Sequence, residues 1–179
     1  MAATWPIFQR KLTRHLQNNK NRQSSRVTAK KIASLYHDAA RTAMPRLVPG
    51  AIPITGKKIL IEKGFETSFK LAFNLGGVPT NPAIWLPAAL GVVGYWTGNG
   101  FNPAVPPPGY VPGVSDLVVF PGVPPAPQIW QAMSSKKESV VARKLVSAFK
   151  THLSSVSGVF IGNPIGSPSP VPFPWVGVA

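Results

Sequence analysis

Residues 135–158 read SKKESVVARKLVSAFKTHLSSVSG and carry the strongest local structural signal in the chain. Their apolar residues recur three or four positions apart, which places side chains on one face of an α-helix. Ser135 and Glu138 have the spacing of an N-terminal capping box, and Gly158 is a typical residue just beyond a helix end. The stretch therefore predicts a long amphipathic helix, whose buried face holds Val141, Leu145, Ala148, Phe149, Leu153 and Val156.

Four segments upstream show the same helical periodicity, each with start and stop signals of its own. They start at Thr4, at Ser24 or Ser25, after Gly56 and at Asn81, and they end at Asn18, Met44, Gly76 and Gly98. The last of these segments is apolar on nearly every side, so we expect it to be the most buried. The sequence thus predicts a mainly α-helical fold of about five helices.

Two proline-rich stretches interrupt this helical pattern. Residues 98–127 contain nine prolines, which exclude regular helix and favour extended chain, with a short strand at Leu117–Phe120. Residues 162–179 alternate prolines with small or apolar residues. We therefore predict a helical domain over 1–161, with the long loop inserted before its last helix, and an extended C-terminal arm over 162–179.

Charge is distributed in blocks along the chain. The 179 residues include 19 Lys and Arg against 5 Asp and Glu, for a net charge of +14, and no cysteine. Residues 1–70 hold fourteen of the cations, residues 71–135 hold none, and 136–150 hold the remaining five. The lack of cysteine excludes a disulfide scaffold, a zinc ribbon and thiol catalysis. The separation of a basic part from a neutral, apolar part indicates two surfaces that meet different neighbours.

The sequence shows no recognisable catalytic or metal-binding pattern. The acids are scattered except for Glu62 and Glu66, whose spacing fits one exposed helix face, and His15, His37 and His152 stand on different predicted helices. A phosphate-binding loop ending at Gly56 would need a glycine at position 51, where the chain has alanine. We therefore predict a protein that is not an enzyme and holds no metal or cofactor.

Basic residues near the N-terminus are dense enough to contact a phosphate backbone or an acidic protein. Eight of them lie between positions 10 and 31, without a motif for reading bases, so nucleic-acid binding would be electrostatic. The candidate contact residues are Lys20, Arg22, Arg26, Lys30 and Lys31. A membrane span is not expected, because the longest uncharged apolar run, from Ala83 to Trp96, is shorter than the roughly 20 residues required.

Several segments together resemble a known class of proteins. They are residues 89–98 (ALGVVGYWTG), 106–109 (PPPG), 120–122 (FPG), 149–158 (FKTHLSSVSG) and 172–177 (PFPWVG). In these segments the chain resembles small virion structural proteins of large tailed phages of the myovirus type. The resemblance covers mainly residues 83–179. It implies a structural subunit of the neck, tail, baseplate or minor capsid, made in the host cytoplasm and placed in the virion among other virion proteins in an oligomeric assembly.

The sequence thus leads to a main functional hypothesis and alternatives to it. The main one is a non-enzymatic structural subunit that binds its neighbours through the proline-rich segments, with Phe101, Tyr110, Phe120, Phe173 and Trp175 as anchors. Alternatively, these aromatic residues pack on the protein's own core. A second hypothesis is a basic nucleic-acid-binding protein that contacts phosphates through residues 10–31. A third is a membrane-surface binder that uses the amphipathic first segment.

Overall fold

Helices form at each of the five segments where apolar periodicity predicts them. The computed structural model describes residues 5–18, 24–40, 51–53, 56–75, 81–97, 101–103 and 109–177. In these residues the helices are α1 (Trp5–Gln17), α2 (Ser25–Ala40), α3 (Lys58–Asn74), a 3-10 helix (Pro82–Trp85), α4 (Leu86–Trp96), α5 (Ala126–Met133) and α6 (Glu138–Ser155). The strands are β1 (Ala51–Pro53), β2 (Phe101–Pro103), β3 (Tyr110–Phe120), β4 (Ser157–Pro164) and β5 (Val171–Val176). The predicted mainly α-helical fold is confirmed.

Helix starts agree with the sequence signals at two places. The Ser24 hydroxyl accepts a hydrogen bond from the Val27 amide at 3.3 Å, and the Asn81 side chain accepts one from the Ala83 amide at 2.8 Å. Both side chains satisfy amides that a helix end leaves without a partner. The predicted boundaries at Thr4, Met44, Gly76 and Gly98 lie outside the described residues.

The capping box predicted at the start of α6 does not form. The helix begins at Glu138 after Lys137, whose side chain makes no capping hydrogen bond. The Ser135 hydroxyl instead donates to the carbonyl oxygen of Gln131, at 3.3 Å, in the preceding helix. Ser135 therefore serves the end of α5 rather than the start of α6.

Phe149, on α6, lies at the centre of the hydrophobic core. Its ring packs edge-on against Phe8 of α1, Tyr36 of α2 and Phe65 of α3, with ring centroids 5.7, 4.9 and 6.3 Å apart. All four rings are fully buried. The aromatic core predicted for the last helix thus joins it to the three helices of the N-terminal half.

Helices α3 and α4 pack at very short range through two glycines. A Cβ atom on Gly64 would collide with the backbone carbonyl of Pro87, and one on Gly91 would collide with that of Leu60. The Ser68 hydroxyl also accepts a hydrogen bond from the buried Ala88 amide at 3.1 Å. Six of the eleven residues of α4 are buried, the largest share among the described helices, as its composition predicts, although Leu86 and Leu90 are exposed.

Helix α5 lies at the end of the predicted proline-rich loop, where the sequence analysis placed no helix. Pro127 occupies one of the first two positions of α5. Proline is favoured there because a backbone N–H in the first turn has no acceptor within the helix, so its loss breaks no helical hydrogen bond. Ile129 and Ala132, three residues apart, are buried in the core. A helix start containing proline was thus mistaken for part of the loop.

Strands replace most of the predicted irregular structure in the described residues. Strands β1 and β2 pair antiparallel, with Ile52 opposite Asn102, and β3, β4 and β5 form an antiparallel sheet in that order. The short strand expected at Leu117–Phe120 is the end of β3, which starts at Tyr110. The predicted C-terminal arm supplies the end of β4 and all of β5, so its extended chain is a paired strand of the sheet.

Candidate functional site

The sheet of β3, β4 and β5, hereafter the three-stranded sheet, has a continuous register over its main part. Ser157 of β4 lies opposite both Phe120 of β3 and Val176 of β5, and this register continues along β4 as far as Gly162. The pairing of β3 with β4 is irregular only between Tyr110 and Ser115. Side chains directly opposite each other in an antiparallel sheet point to the same face, so the register assigns residues to the two faces.

One face of this sheet is open to solvent and is apolar apart from Ser157 and the position of Asp116, which lies opposite Ile161. We call it the outer face. It consists of Ser157, Val159 and Ile161 of β4 and of the residues directly opposite them on β3 and β5. Those of its apolar members whose exposure is described are all exposed or half-buried: Phe120, Val159, Ile161, Pro172, Pro174 and Val176. Phe120 and Val176 are 51% and 65% exposed. The opposite face contains the buried Gly158 and Gly162.

The base of the sheet is fixed to the end of α6. The imidazole Nε2 of His152 donates to the Pro121 carbonyl oxygen at 2.8 Å, and the Ser155 hydroxyl accepts from the Val123 amide at 3.2 Å. The Gly177 amide donates to the Val156 carbonyl oxygen at 2.8 Å. These bonds bind the ends of β3 and β5 to the segment that joins α6 to β4.

The other end of the sheet is closed by its own hydrogen bonds. The Ile165 amide donates to the Gly109 carbonyl oxygen at 2.7 Å, and the Tyr110 hydroxyl donates to the Val171 carbonyl oxygen at 3.3 Å. The half-buried Tyr110 side chain also packs against the hydrophobic core. Beyond these attachments, the sheet makes few contacts with the described helices.

The structure distributes the five predicted anchor residues over three strands. Phe120 lies on the outer face, whereas Tyr110 is partly committed to the protein's own core. Phe101 pairs with Pro53 in the two-stranded sheet. Phe173 and Trp175 occupy β5 positions that alternate with those of the outer face. Sequence reasoning missed Ile161 and Val176, whose alternation with small residues and prolines was the available signal.

The described helices have a strongly basic surface. Apart from the half-buried Lys31, every described Lys and Arg is exposed. In the described part of the chain only Lys70 is in an ion pair with a carboxylate, at 2.7 Å from Glu66. This pair lowers the pKa of Glu66 through a hydrogen bond from Lys70. Positive charge on the helices is therefore hardly neutralised within the described chain.

Three of the five predicted phosphate-contact residues, Arg26, Lys30 and Lys31, lie on α2. Lys20 and Arg22 lie outside the described residues. Burial, and then the charge of Lys31, lowers the pKa of His15, and the charge of Arg26 adds to the effect of the Lys70 hydrogen bond in lowering the pKa of Glu66. Arg26 and Lys30 are exposed and one helical turn apart on α2, and the half-buried Lys31 follows Lys30 directly.

An open groove between α1 and α6 contains further basic residues. It has a volume of about 490 Å³ and is lined by Pro6, Gln9, Arg10, Thr13, Arg14, Gln17 and Ser139. Arg10 and Arg14 are one helical turn apart and exposed, and no carboxylate lines the groove. The two guanidinium groups and the neighbouring amide and hydroxyl side chains can donate hydrogen bonds to phosphate oxygens.

The polar groups inside the protein hold helices together. His37 Nδ1 and the Tyr95 hydroxyl are hydrogen-bonded at 3.0 Å, and Trp96 Nε1 donates to the Tyr36 hydroxyl at 2.7 Å. Burial raises the pKa of Tyr36 far above its usual range. These contacts join α2 to α4. No three His, Asp or Glu side chains of the described ranges come close enough together to hold a metal ion.

The chain was compared with protein-family models, curated proteins and solved structures. None of them matches it. The features of the described chain that point to a function are therefore the outer face of the three-stranded sheet and the basic surface of the helices. None of the helices in the described ranges is both long and apolar enough to span a membrane.

Proposed function

We propose that this protein is a non-enzymatic structural subunit of a phage or virus particle, placed in the neck, tail, baseplate or minor capsid. It binds neighbouring virion proteins through the outer face of the three-stranded sheet. The observation that carries this proposal is an apolar sheet face that the described helices leave uncovered. Sheets are normally stabilised by packing an apolar face against another layer, so a neighbouring subunit supplies the missing layer.

The charge distribution supports the same proposal. The three strands and the turn between β4 and β5 contain one charged residue, Asp116, whereas the helices are strongly basic. Interface centres are typically depleted of charge and rich in large apolar side chains. The resemblance of residues 83–179 to virion structural proteins covers all three strands and indicates the kind of assembly to test.

A double substitution on the outer face tests this function. We expect Phe120→Ser with Val176→Ser to lower incorporation into purified particles by at least about tenfold, because two large apolar contacts are lost at the interface. Quantitative mass spectrometry of particles from the organism that encodes the chain would measure incorporation. Leu90→Ser is the matched control, since Leu90 is also about half exposed but lies on α4, and it should incorporate normally. Absence of the wild-type chain from particles would refute the proposal.

The basic groove favours a second candidate function, electrostatic contact with nucleic acid. Arg10 and Arg14 have no carboxylate partner among the described residues, so a phosphate backbone would be their natural counter-charge. This function is compatible with a structural subunit, because particle proteins of this kind also meet the packaged genome.

Replacing the two groove arginines tests the second candidate. We expect Arg10→Gln with Arg14→Gln to reduce the slope of log K against log salt by about 2, since each phosphate contact contributes about 0.9. Fluorescence anisotropy with a labelled DNA duplex over a salt series measures the slope. Lys58→Gln with Lys63→Gln removes the same charge from α3 and should change the slope less. Equal slopes for both double variants would show that the groove is not the contact.

A further inference from the structure

The two edges of the three-stranded sheet differ in their backbone hydrogen-bonding groups. In an antiparallel sheet the N–H and C=O of one residue point to the same side, and successive residues alternate. The Gly177 amide donates to Val156, across the β4 side of β5. Because this direction alternates along the strand, the backbone N–H and C=O groups of Val171, Phe173 and Trp175 point to β4. The backbone groups of Pro172 and Pro174 point away from the sheet.

The same alternation determines the outer edge of β3. The backbone carbonyl of Val156 points to β5, so the backbone groups of Gly158 and Phe160 point to β5 as well. The backbone groups of the alternate residues Ser157, Val159 and Ile161 therefore point to β3. Their partners on β3 are Phe120, Val118 and Asp116. The backbone N–H and C=O groups of the intervening residues Ser115, Leu117 and Val119 consequently face away from β4.

Among the described strands, the β5 edge of the sheet is therefore blocked by prolines, whereas the β3 edge has no paired strand. Pro172 and Pro174 remove two donors from the outer edge of β5, which is a common protection against pairing with another strand. No proline lies between Ser115 and Phe120, and among the described strands β3 is paired only with β4, so it forms the other edge of the sheet. An open edge of this kind is a template for one more strand.

We propose that the open edge of β3 pairs with β3 of a second copy of this chain, antiparallel and about a two-fold axis. Such pairing joins two open edges and leaves a six-stranded sheet bounded on both sides by the proline-blocked β5. The assembly then stops at two copies, as expected for an isologous interface. A strand of a different protein could also pair with the edge of one copy. In self-pairing, however, both paired strands are the β3 edge described here, and no further strand is required.

Charge and apolar surface are compatible with this dimer. Although the chain has a net charge of +14, the paired strands carry no cation, so the copies meet through their least repulsive parts. A register centred on Leu117 places Ser115 opposite Val119 of the second copy and Asp116 opposite Val118. The two outer faces then form one continuous surface that is apolar except at Ser157 and Asp116 of each copy. This inference names a partner for the proposed structural subunit and rests on that function only for its biological setting.

A proline at an outward position of β3 tests the pairing. Val119→Pro removes an outward N–H but no hydrogen bond between β3 and β4, so the subunit should keep its fold while the edge becomes blocked like β5. Val119→Ala is the matched control, because it shortens the side chain and keeps the N–H. Light scattering after size-exclusion chromatography, in high salt to remove nucleic acid, should give wild type and Val119→Ala twice the 19.1 kDa chain mass, and Val119→Pro the single mass.

Several results would overturn the proposal. They are a monomeric wild type, a monomeric Val119→Ala, or a dimeric Val119→Pro with unchanged circular dichroism. If Val119→Pro does not fold, hydrogen exchange on wild type decides, since the amides of Ser115, Leu117 and Val119 should be protected at high concentration and lose that protection on dilution. Unprotected amides would exclude edge pairing. A monomeric chain that still enters particles would refute the dimer and leave the proposed function intact, whereas a dimer absent from particles would do the reverse.

Discussion

Gly64→Ala and Gly91→Ala are each expected to lower the free energy of unfolding by about 3 kcal/mol. Alanine at an ordinary helix position stabilises by about 1 kcal/mol relative to glycine, so the expected change has the opposite sign. The reason is that the added methyl groups meet the backbone carbonyls of Pro87 and Leu60, which cannot rotate away as side chains do. Helices α3 and α4 must then separate, which loses packing along their whole contact.

Urea unfolding followed by tryptophan fluorescence measures this effect, with Gly94→Ala as control. A methyl group on Gly94 would meet only the flexible Leu60 side chain, with its Cδ1 atom at 3.1 Å, so this variant should be about as stable as wild type or slightly more stable. The double variant Gly64→Ala with Gly91→Ala should cost less than the sum of the single changes, because both separate the same two helices. A stabilised Gly64→Ala would contradict the close helix contact.

Acidification from pH 6.5 to pH 4 is expected to lower the free energy of unfolding by about 3 kcal/mol through His152. Burial lowers the pKa of His152 from 6.5 to about 4, although its hydrogen bond to the Pro121 carbonyl acts in the opposite direction. The unfolded chain therefore takes up a proton at His152 at a higher pH than the folded protein does. Between the two pKa values each pH unit favours the unfolded state by about 1.4 kcal/mol.

Substitution of His152 separates its contribution from that of other groups. His152→Gln keeps an N–H donor near Pro121 and removes the titration, so its stability should vary much less between pH 6.5 and 4. His15→Gln is the matched control, because His15 is only partly buried, and this variant should keep most of the wild-type pH dependence. Stability measured by urea unfolding at several pH values decides. If the free energy of unfolding falls equally with pH for wild type and His152→Gln, protonation of His152 is not the cause of the pH dependence.

The sequence predicted the helical part of this fold better than the sheet. Helix periodicity is local, so Phe149 and its neighbours identified α6, and Ser24 and Asn81 marked the starts of two other helices. Strand pairing depends on residues far apart in the chain. Nothing near Val171 shows that it will lie beside Gly162 and become part of a sheet. Proline was also taken only as a helix breaker, although Pro127 begins α5 and Pro172 lies on a sheet edge.

The candidate surfaces were predictable to a similar, partial degree. Composition showed a basic part and a neutral part, and both are surfaces of the structure. The sequence did not show that Lys31 would be half-buried while Arg26 and Lys30 stay exposed, because burial on α2 depends on where the neighbouring helices pack. Nor did it show that Phe120 and Val176 share one sheet face, which follows from a register that involves three strands.

The chain topology has a consequence for the order of folding. The end of β3 pairs with the start of β4, but the whole of α5 and α6 lies between them in sequence. Closing so long a segment is entropically costly until the helical hairpin has folded and brought its two ends together. We therefore expect the helices to form early and the sheet late, so that a newly made chain passes through a stage in which the folded helices lie beside unpaired strands.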